Sequence, residues 1–235
     1  MAGNRGGRTS SSLTAKVLEM YGPVCHLRMP GCLGVATTKD HLIPYSLGGR
    51  DTLENLRPAC KPCNSKRQNR VMSGYGARIN VLIGPPASGK STYVLEHAKP
   101  SDIVIDLDVI ARALMPIQQE RTHVYPDYVR HVAIGARKAA LDRATRLAVG
   151  CTVWVIHAVP HPNTLAEYRA LRYNIITVDP GREVVESRAR LERPPHVWPI
   201  IGKWYASGLA KAAAAPPVEA SAIASSSAPS TASDW

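Results

Sequence analysis

Short apolar runs alternate with longer helical stretches across residues 78–210 of this 235-residue chain. The apolar runs, which predict strands, lie at 79–83, 102–107, 151–157 and 175–178. The helical stretches lie at 89–98, 127–149 and 183–191. Strands that alternate with helices along a chain favour a parallel sheet flanked by helices, so we predict an α/β domain in this part of the chain.

Residues 13–72 show no such alternation. The segment is short, rich in glycine and proline, and holds four of the five cysteines. So short a segment buries little apolar surface by itself, and we therefore expect a separate small domain held by a structural metal. A Ser-Gly-Tyr-Gly stretch indicates a linker at 73–77. The Gly-, Ser- and Arg-rich arm at 1–12 and the Ala-, Ser- and Pro-rich tail at 211–235 are predicted to be disordered.

Positive charge is concentrated in the first third of the chain. The whole chain carries 29 basic and 18 acidic side chains, a net charge of +11. Residues 1–75 hold 11 of the basic and 4 of the acidic side chains, a net charge of +7. An excess of this size favours a nucleic-acid partner. The charge does not distinguish DNA from RNA, and of the two we expect DNA. A basic surface that only keeps the protein hydrated is the alternative.

The cysteines of the first segment form two pairs, Cys25 with Cys32 and Cys60 with Cys63. Two residues separate Cys60 from Cys63, a spacing that lets both thiolates face one ion, and the other pair would complete a tetrahedral zinc site. Six residues separate Cys25 from Cys32, which is wider than usual, so His26 is an alternative ligand.

The chain start has no apolar core of a secretory signal, and no apolar run reaches membrane-spanning length. We therefore expect a cytoplasmic location, with no membrane partner. In that reducing environment paired cysteines hold metal more often than they form disulfides.

The two cysteine pairs bracket an Asp40-His41 pair and Asn55, and Asn64 follows directly after the last cysteine. On these elements, residues 25–70 resemble the HNH endonuclease family, in which Asn is a common variant of the final His. The resemblance implies a β-hairpin and a helix around the metal, and hydrolysis of phosphodiester bonds with His41 as the catalytic base. It also implies that Asp40 and Asn64 hold a catalytic Mg²⁺ or Mn²⁺ and that Asn55 supports the loop beneath His41.

Basic side chains near these elements are candidates to contact the flanking phosphates of a nucleic acid. They are Arg57, Lys61, Lys66, Arg67 and Arg70. A zinc module that only grips DNA is the non-catalytic alternative, although such a module has no need of an Asp-His pair.

The second domain contains a complete G-x-x-x-x-G-K-[ST] pattern over residues 84–91, between a predicted strand and a predicted helix. This is a P-loop, whose backbone N–H groups surround the phosphates of ATP. Lys90 is expected to contact the β- and γ-phosphates, and Ser91 to ligate Mg²⁺. The predicted nucleotide-binding residues are Gly84, Ser88, Gly89, Lys90, Ser91 and Thr92.

Asp106 and Asp108 lie two positions apart at the end of the second predicted strand, where their side chains would share one side. With the P-loop, they make residues 79–205 resemble the small P-loop kinases, and among these the polynucleotide 5′-kinase group. The resemblance implies that Asp108 is the general base, that Asp106 positions Mg²⁺, and that Lys90 is catalytic. Further arginines have implied roles: Arg193 as catalytic lid residue, Arg190 as nucleotide contact, and Arg112 and Arg188 as substrate-phosphate contacts.

His157 departs from the kinase pattern, because these kinases often carry an Asp after the third strand. Either Asp106 takes over that role, or the domain binds nucleotide and transfers phosphate poorly.

The sequence therefore predicts a two-domain enzyme of DNA repair or processing, an HNH endonuclease joined to an ATP-dependent polynucleotide 5′-hydroxyl kinase. One alternative is an HNH endonuclease whose P-loop domain regulates it without kinase activity. Another is a zinc-containing nucleic-acid-binding module fused to a small-metabolite kinase. The compact fusion resembles phage-encoded enzymes, which would place it in the host cytoplasm.

Overall fold

The structure is a computed structural model that describes residues 8–116, 123–147 and 149–209. It contains an N-terminal hairpin-and-helix unit followed by a parallel sheet flanked by helices. Within the described residues, none of the helices is both long enough and apolar enough to cross a membrane.

The N-terminal unit consists of two helices and one hairpin. Its elements are α1 (Arg8–Tyr21), β1 (Thr38–His41), β2 (Leu56–Ala59) and α2 (Lys61–Arg67). The strands pair antiparallel, with Thr38 opposite Ala59 and His41 opposite Leu56. α2 follows β2 directly and contacts β1, so the unit has the ββα arrangement implied by the HNH resemblance.

Helix α1 overlaps the arm that the sequence predicted to be disordered at 1–12. It begins at Arg8, contacts β2 and buries Val17 completely. Lys39 of β1 donates to the Ser10 hydroxyl at 2.7 Å, which ties the first turns of the helix to the hairpin. The prediction was therefore wrong for residues 8–12, and its remainder, like the predicted tail at 211–235, lies outside the described residues.

The second unit has four parallel strands in the order β4-β5-β3-β6. The strands are β3 (Arg78–Ile83), β4 (Ile103–Ile105), β5 (Thr152–Ile156) and β6 (Asn174–Thr177). The helices are α3 (Lys90–His97), α4 (Leu107–Ala113), α5 (Asp127–Ala144), α6 (Pro162–Ala170), α7 (Arg182–Glu192) and α8 (Trp198–Ala206). All four predicted strands are present, and the parallel α/β class is confirmed. Since the strands run the same way, the segments that follow them meet at one edge of the sheet.

Part of the segment between the two units packs against the second unit. Met72 is buried, the Val71 N–H donates to the carbonyl of Thr145 at 2.7 Å, and the Ser73 N–H donates to that of Leu171 at 3.1 Å. Lys66 of α2 also forms an ion pair with Glu167 of α6 at 2.8 Å. The two units therefore contact each other through residues 66–73, which end at the first residue of the predicted linker.

Candidate functional site

The four paired cysteines converge at the base of the hairpin. Their sulfur atoms all lie within 4.8 Å of one another, and Cys32 Sγ lies 3.8 Å from Cys60 Sγ. Two sulfurs on one tetrahedral zinc lie about 3.8 Å apart when each Zn–S bond is about 2.3 Å. The cluster therefore fits a structural zinc ion. The alternative ligand His26 points elsewhere, since its Nε2 lies 2.8 Å from Asp40 Oδ2.

Loss of the zinc cluster is expected to destabilise the protein strongly, because Cys25, Cys60 and Cys63 belong to the buried core and Cys32 packs against it. Cys60→Ser should reduce bound zinc from about one ion per chain to about none, and lower the Tm by roughly 10 °C or more. Metal analysis and thermal unfolding measure the two effects. Cys151→Ser is the matched control, since Cys151 lies outside the cluster. A wild-type protein whose Tm stays the same after its metal is removed would contradict the zinc assignment.

His41 ends β1, and a carboxylate holds its ring. Its Nε2 lies 2.7 Å from Asp51 Oδ1 in the loop between the strands. Because an ionised carboxylate only accepts hydrogen bonds, this contact places the proton on Nε2 and leaves Nδ1 as the proton acceptor. Sequence reasoning missed Asp51, which lies within a Gly-Gly-Arg-Asp loop whose path the sequence does not show.

Asn55 fixes the path of that loop. Its Oδ1 accepts from the Ile43 N–H at 2.9 Å, and its Nδ2 donates to the carbonyls of Ile43 and Arg50, each at 3.0 Å. A Cβ placed on Gly49 would lie 1.8 Å from the Ile43 carbonyl oxygen, so only glycine fits there. These contacts support the backbone immediately after His41.

The two predicted ligands of the catalytic cation have different surroundings. Asp40 is buried, and its carboxylate accepts from His26 at 2.8 Å and from the buried guanidinium of Arg67. Asn64 Nδ2 donates to the Lys39 carbonyl at 2.9 Å, which leaves its amide oxygen as the atom suited to a hard cation. The donor set thus fits a divalent ion in part, since Arg67 already balances the charge of Asp40.

Arg67 itself does not take the place predicted for it. It donates to Asp40 and to the backbone carbonyls of His41 and Leu42, and its side chain is 1% exposed. It therefore supports β1 from within and is not available to a flanking phosphate.

The P-loop connects β3 to α3. Its backbone requires glycine at two positions: Gly84 has φ +151° with the Val178 carbonyl oxygen 2.1 Å from where a Cβ would lie, and Gly89 has φ +93°. Lys90 Nζ donates to the carbonyls of Gly84 and Pro85 at 2.9 and 2.6 Å. The other predicted phosphate-loop side chains are Ser88, whose hydroxyl lies 3.3 Å from Lys90 Nζ, and Thr92, exposed in the first turn of α3.

Burial, with the nearby charge of Arg193, lowers the pKa of Lys90 to about 8. ATP phosphates favour the charged amine, so its pKa rises in the complex. Above pH 8 the protein must therefore take up a proton to bind ATP, and affinity should fall by up to about tenfold per pH unit. Calorimetry in two buffers should show little proton uptake at pH 7 and nearly one proton at pH 9. Equal uptake by Lys90→Met at pH 9 would contradict this assignment.

Asp106 follows β4 and faces the P-loop. Its Oδ1 accepts from the Asp108 N–H at 2.9 Å and caps α4, while its Oδ2 lies 3.5 Å from the Ser91 hydroxyl. Burial raises the pKa of Asp106. A carboxylate beside a hydroxyl at the end of a P-loop fits Mg²⁺.

Asp108 lies in the first turn of α4 among several cationic or polar groups. Its Oδ2 lies 2.9 Å from His123 Nδ1, and His123 Nε2 contacts Nη1 of Arg193. Burial alone would raise the pKa of Asp108, but the His123 hydrogen bond and the charges of Arg193 and Arg112 hold it below its ordinary value. Asp108 is therefore an ionised carboxylate at neutral pH. Sequence reasoning missed His123, which no motif marks.

The lid arginines of α7 lie in different places. A Cβ placed on Gly89 would lie 3.7 Å from Nη1 of Arg188, so Arg188 lies over the P-loop. Arg190 instead lies 3.8 Å from Glu186, and its side chain is 68% exposed. The structure thus places Arg188 near Gly89 of the P-loop and Arg190 on the exposed face of α7.

His157 follows β5 at the same edge of the sheet. Its Nδ1 lies 3.1 Å from the Tyr168 hydroxyl, and burial together with the charge of Arg137 lowers its pKa to about 4. It is therefore neutral at physiological pH and supplies no negative charge. The described carboxylates whose charges act on Lys90 are those of Asp106, Asp108 and Asp179.

Comparison with protein families agrees with both halves of this description. Residues 23–70 match the family model described as HNH endonuclease, and residues 79–190 match the one described as AAA domain. No curated protein matches the chain at a significant level. The chain therefore carries an HNH endonuclease domain followed by a P-loop domain of the AAA type.

Proposed function

We propose that this protein cuts a phosphodiester bond in nucleic acid with its HNH domain and phosphorylates a 5′-hydroxyl end with its P-loop domain. One observation carries the kinase half: Asp106 and Asp108 lie beside the P-loop, one against Ser91 and the other linked through His123 to Arg193. An ionised carboxylate beside the P-loop can take the proton of an acceptor hydroxyl, which is what supports a kinase.

The kinase step requires a base, a phosphate cradle and a cation. Asp108 takes the proton of the acceptor hydroxyl, whose oxygen forms a bond to the γ-phosphorus while the bond to the bridging β–γ oxygen breaks and ADP leaves. Lys90 balances charge on the β- and γ-phosphates, and Arg188 and Arg193 balance it from the lid. Ser91 and Asp106 would hold Mg²⁺, which offsets the negative charge that develops on the phosphates.

The nuclease step requires a base that is neutral before it acts. His41 Nδ1 removes a proton from water, the water oxygen attacks phosphorus, and the bond to the leaving sugar oxygen breaks. Asp51, which accepts from the Nε2–H, stabilises the imidazolium that forms when Nδ1 takes up the proton. Asp40 and Asn64 would hold the divalent ion, which supplies electrostatic stabilisation to the phosphate and the leaving oxygen. The basic N-terminal third supplies attraction to the backbone, and DNA is the expected substrate.

The kinase proposal is tested with γ-labelled ATP and a 5′-hydroxyl oligonucleotide. The wild-type protein should transfer label to the oligonucleotide, and Lys90→Ala should not. ATP hydrolysis without transfer would instead favour a P-loop domain that regulates the nuclease. Transfer to small metabolites only would favour a metabolite kinase fused to a zinc module.

A further inference from the structure

His123 lies between two side chains that are far apart in sequence. Its two ring nitrogens contact Asp108, 15 positions earlier, and Arg193, 70 positions later. Asp108 belongs to α4, Arg193 caps the end of α7, and His123 precedes α5. One ring therefore joins three separate parts of the P-loop domain.

The chemistry of the two partners determines the state of the ring. A carboxylate only accepts hydrogen bonds and a guanidinium only donates them. Nδ1 must therefore carry a proton for Asp108, and Nε2 must offer a lone pair to Arg193. The neutral imidazole with its proton on Nδ1 satisfies both contacts at once.

The neighbouring contacts place this bridge beside α4 and the P-loop. The Tyr125 hydroxyl donates to the Asp108 backbone carbonyl at 3.3 Å, which holds the segment after His123 against α4. Asp106, two residues before Asp108, has its Oδ2 3.5 Å from the Ser91 hydroxyl of the P-loop. The bridge thus joins the start of α4, next to the P-loop, to the end of α7.

We propose that His123 is a positioning residue of the kinase reaction, which holds Arg193 beside Asp108 so that base and lid cation meet the transferring phosphoryl group together. The inference rests on the proposed 5′-hydroxyl kinase function. Asp108 receives the acceptor proton and Arg193 balances charge on the phosphoryl oxygens. His123 itself exchanges no proton with the substrate, and acts through these two residues.

Steady-state kinetics of the full-length protein, with labelled ATP and a 5′-hydroxyl oligonucleotide, test the proposal. His123→Ala should lower kcat about 10- to 100-fold, since small displacements of catalytic groups cost that much, and change the KM for ATP less than about threefold. His123→Gln, which keeps one donor and one acceptor, should recover part of the loss. His131→Ala is the matched control, because His131 is exposed on α5.

A double-mutant cycle separates positioning from general packing. In an Arg193→Ala background, His123→Ala should cause less than about a threefold further loss, because the bridge is already broken. The proposal would be overturned if the fold losses in kcat of the two single variants multiply in the double variant. It would also be overturned if His123→Gln is as slow as His123→Ala, or if His123→Ala is as fast as wild type. No transfer by the wild-type protein would overturn the kinase function itself, a result distinct from these.

Discussion

His41→Ala is expected to lower the rate of phosphodiester cleavage about 10²- to 10⁴-fold, the contribution that a well-placed general base makes. The ring is partly exposed at the end of β1 and Asp51 fixes its tautomer, so its removal takes away the proton acceptor and leaves the buried core unchanged. Plasmid DNA with Mg²⁺ or Mn²⁺ is the substrate to measure, with a structured RNA in parallel.

Two further variants sharpen this experiment. His41→Ala combined with Asp51→Asn should be no slower than His41→Ala alone, because Asp51 acts only through the ring. His131→Ala should cleave at the wild-type rate, and every variant should keep its ATP binding and Tm. If His41→Ala cleaves plasmid as fast as the wild-type protein, the nuclease mechanism proposed for this domain is wrong.

Local motifs explain why much of the fold could be predicted. The P-loop lies within eight consecutive residues, and its flanking strand and helix follow from apolar patterning alone. The cysteine pairs could also be predicted from local sequence, because their spacing limits the geometry of each half of the metal site. In such stretches the functional residues are close in sequence and are therefore also close in space.

Contacts made at long range could not be predicted. His123 and Arg193 are 70 positions apart, and Asp40 meets His26 and Arg67 from opposite ends of the N-terminal unit. No pattern along the chain records that these side chains meet, because their contact depends on how whole elements pack. The role expected of Arg67 failed for this reason: burial, which the sequence does not show, makes it an internal partner of Asp40.

Helix α1 shows the same limit for secondary structure. Its Arg-Thr-Ser-Ser-Ser start is typical of a disordered arm, since these residues are weak helix formers inside a helix. Packing of the helix against the hairpin, with Val17 in the core, overrides that local preference.

Asp108→Asn is expected to lower label transfer to a 5′-hydroxyl oligonucleotide about 10²- to 10⁴-fold while ATP binding persists. The amide has nearly the same shape as the carboxylate and can still accept from His123, but it cannot take the proton of the acceptor hydroxyl. Since His123, Arg193 and Arg112 hold the pKa of Asp108 below its ordinary value, the wild-type base is ionised throughout pH 5–8. Its titration should therefore impose no rise in kcat across that range.

Asp142→Asn is the matched control, because Asp142 is exposed near the end of α5 and forms an ion pair with Arg146, which follows the helix. It should transfer label at the wild-type rate. An Asp108→Asn variant as active as this control would show that another group takes the acceptor proton. If Asp108→Asn loses label transfer but still hydrolyses ATP, Asp108 acts on the acceptor hydroxyl. Attack of water on the γ-phosphate does not require that hydroxyl to lose its proton. The variant thus distinguishes a kinase from a nucleotide-driven switch at the level of one side chain.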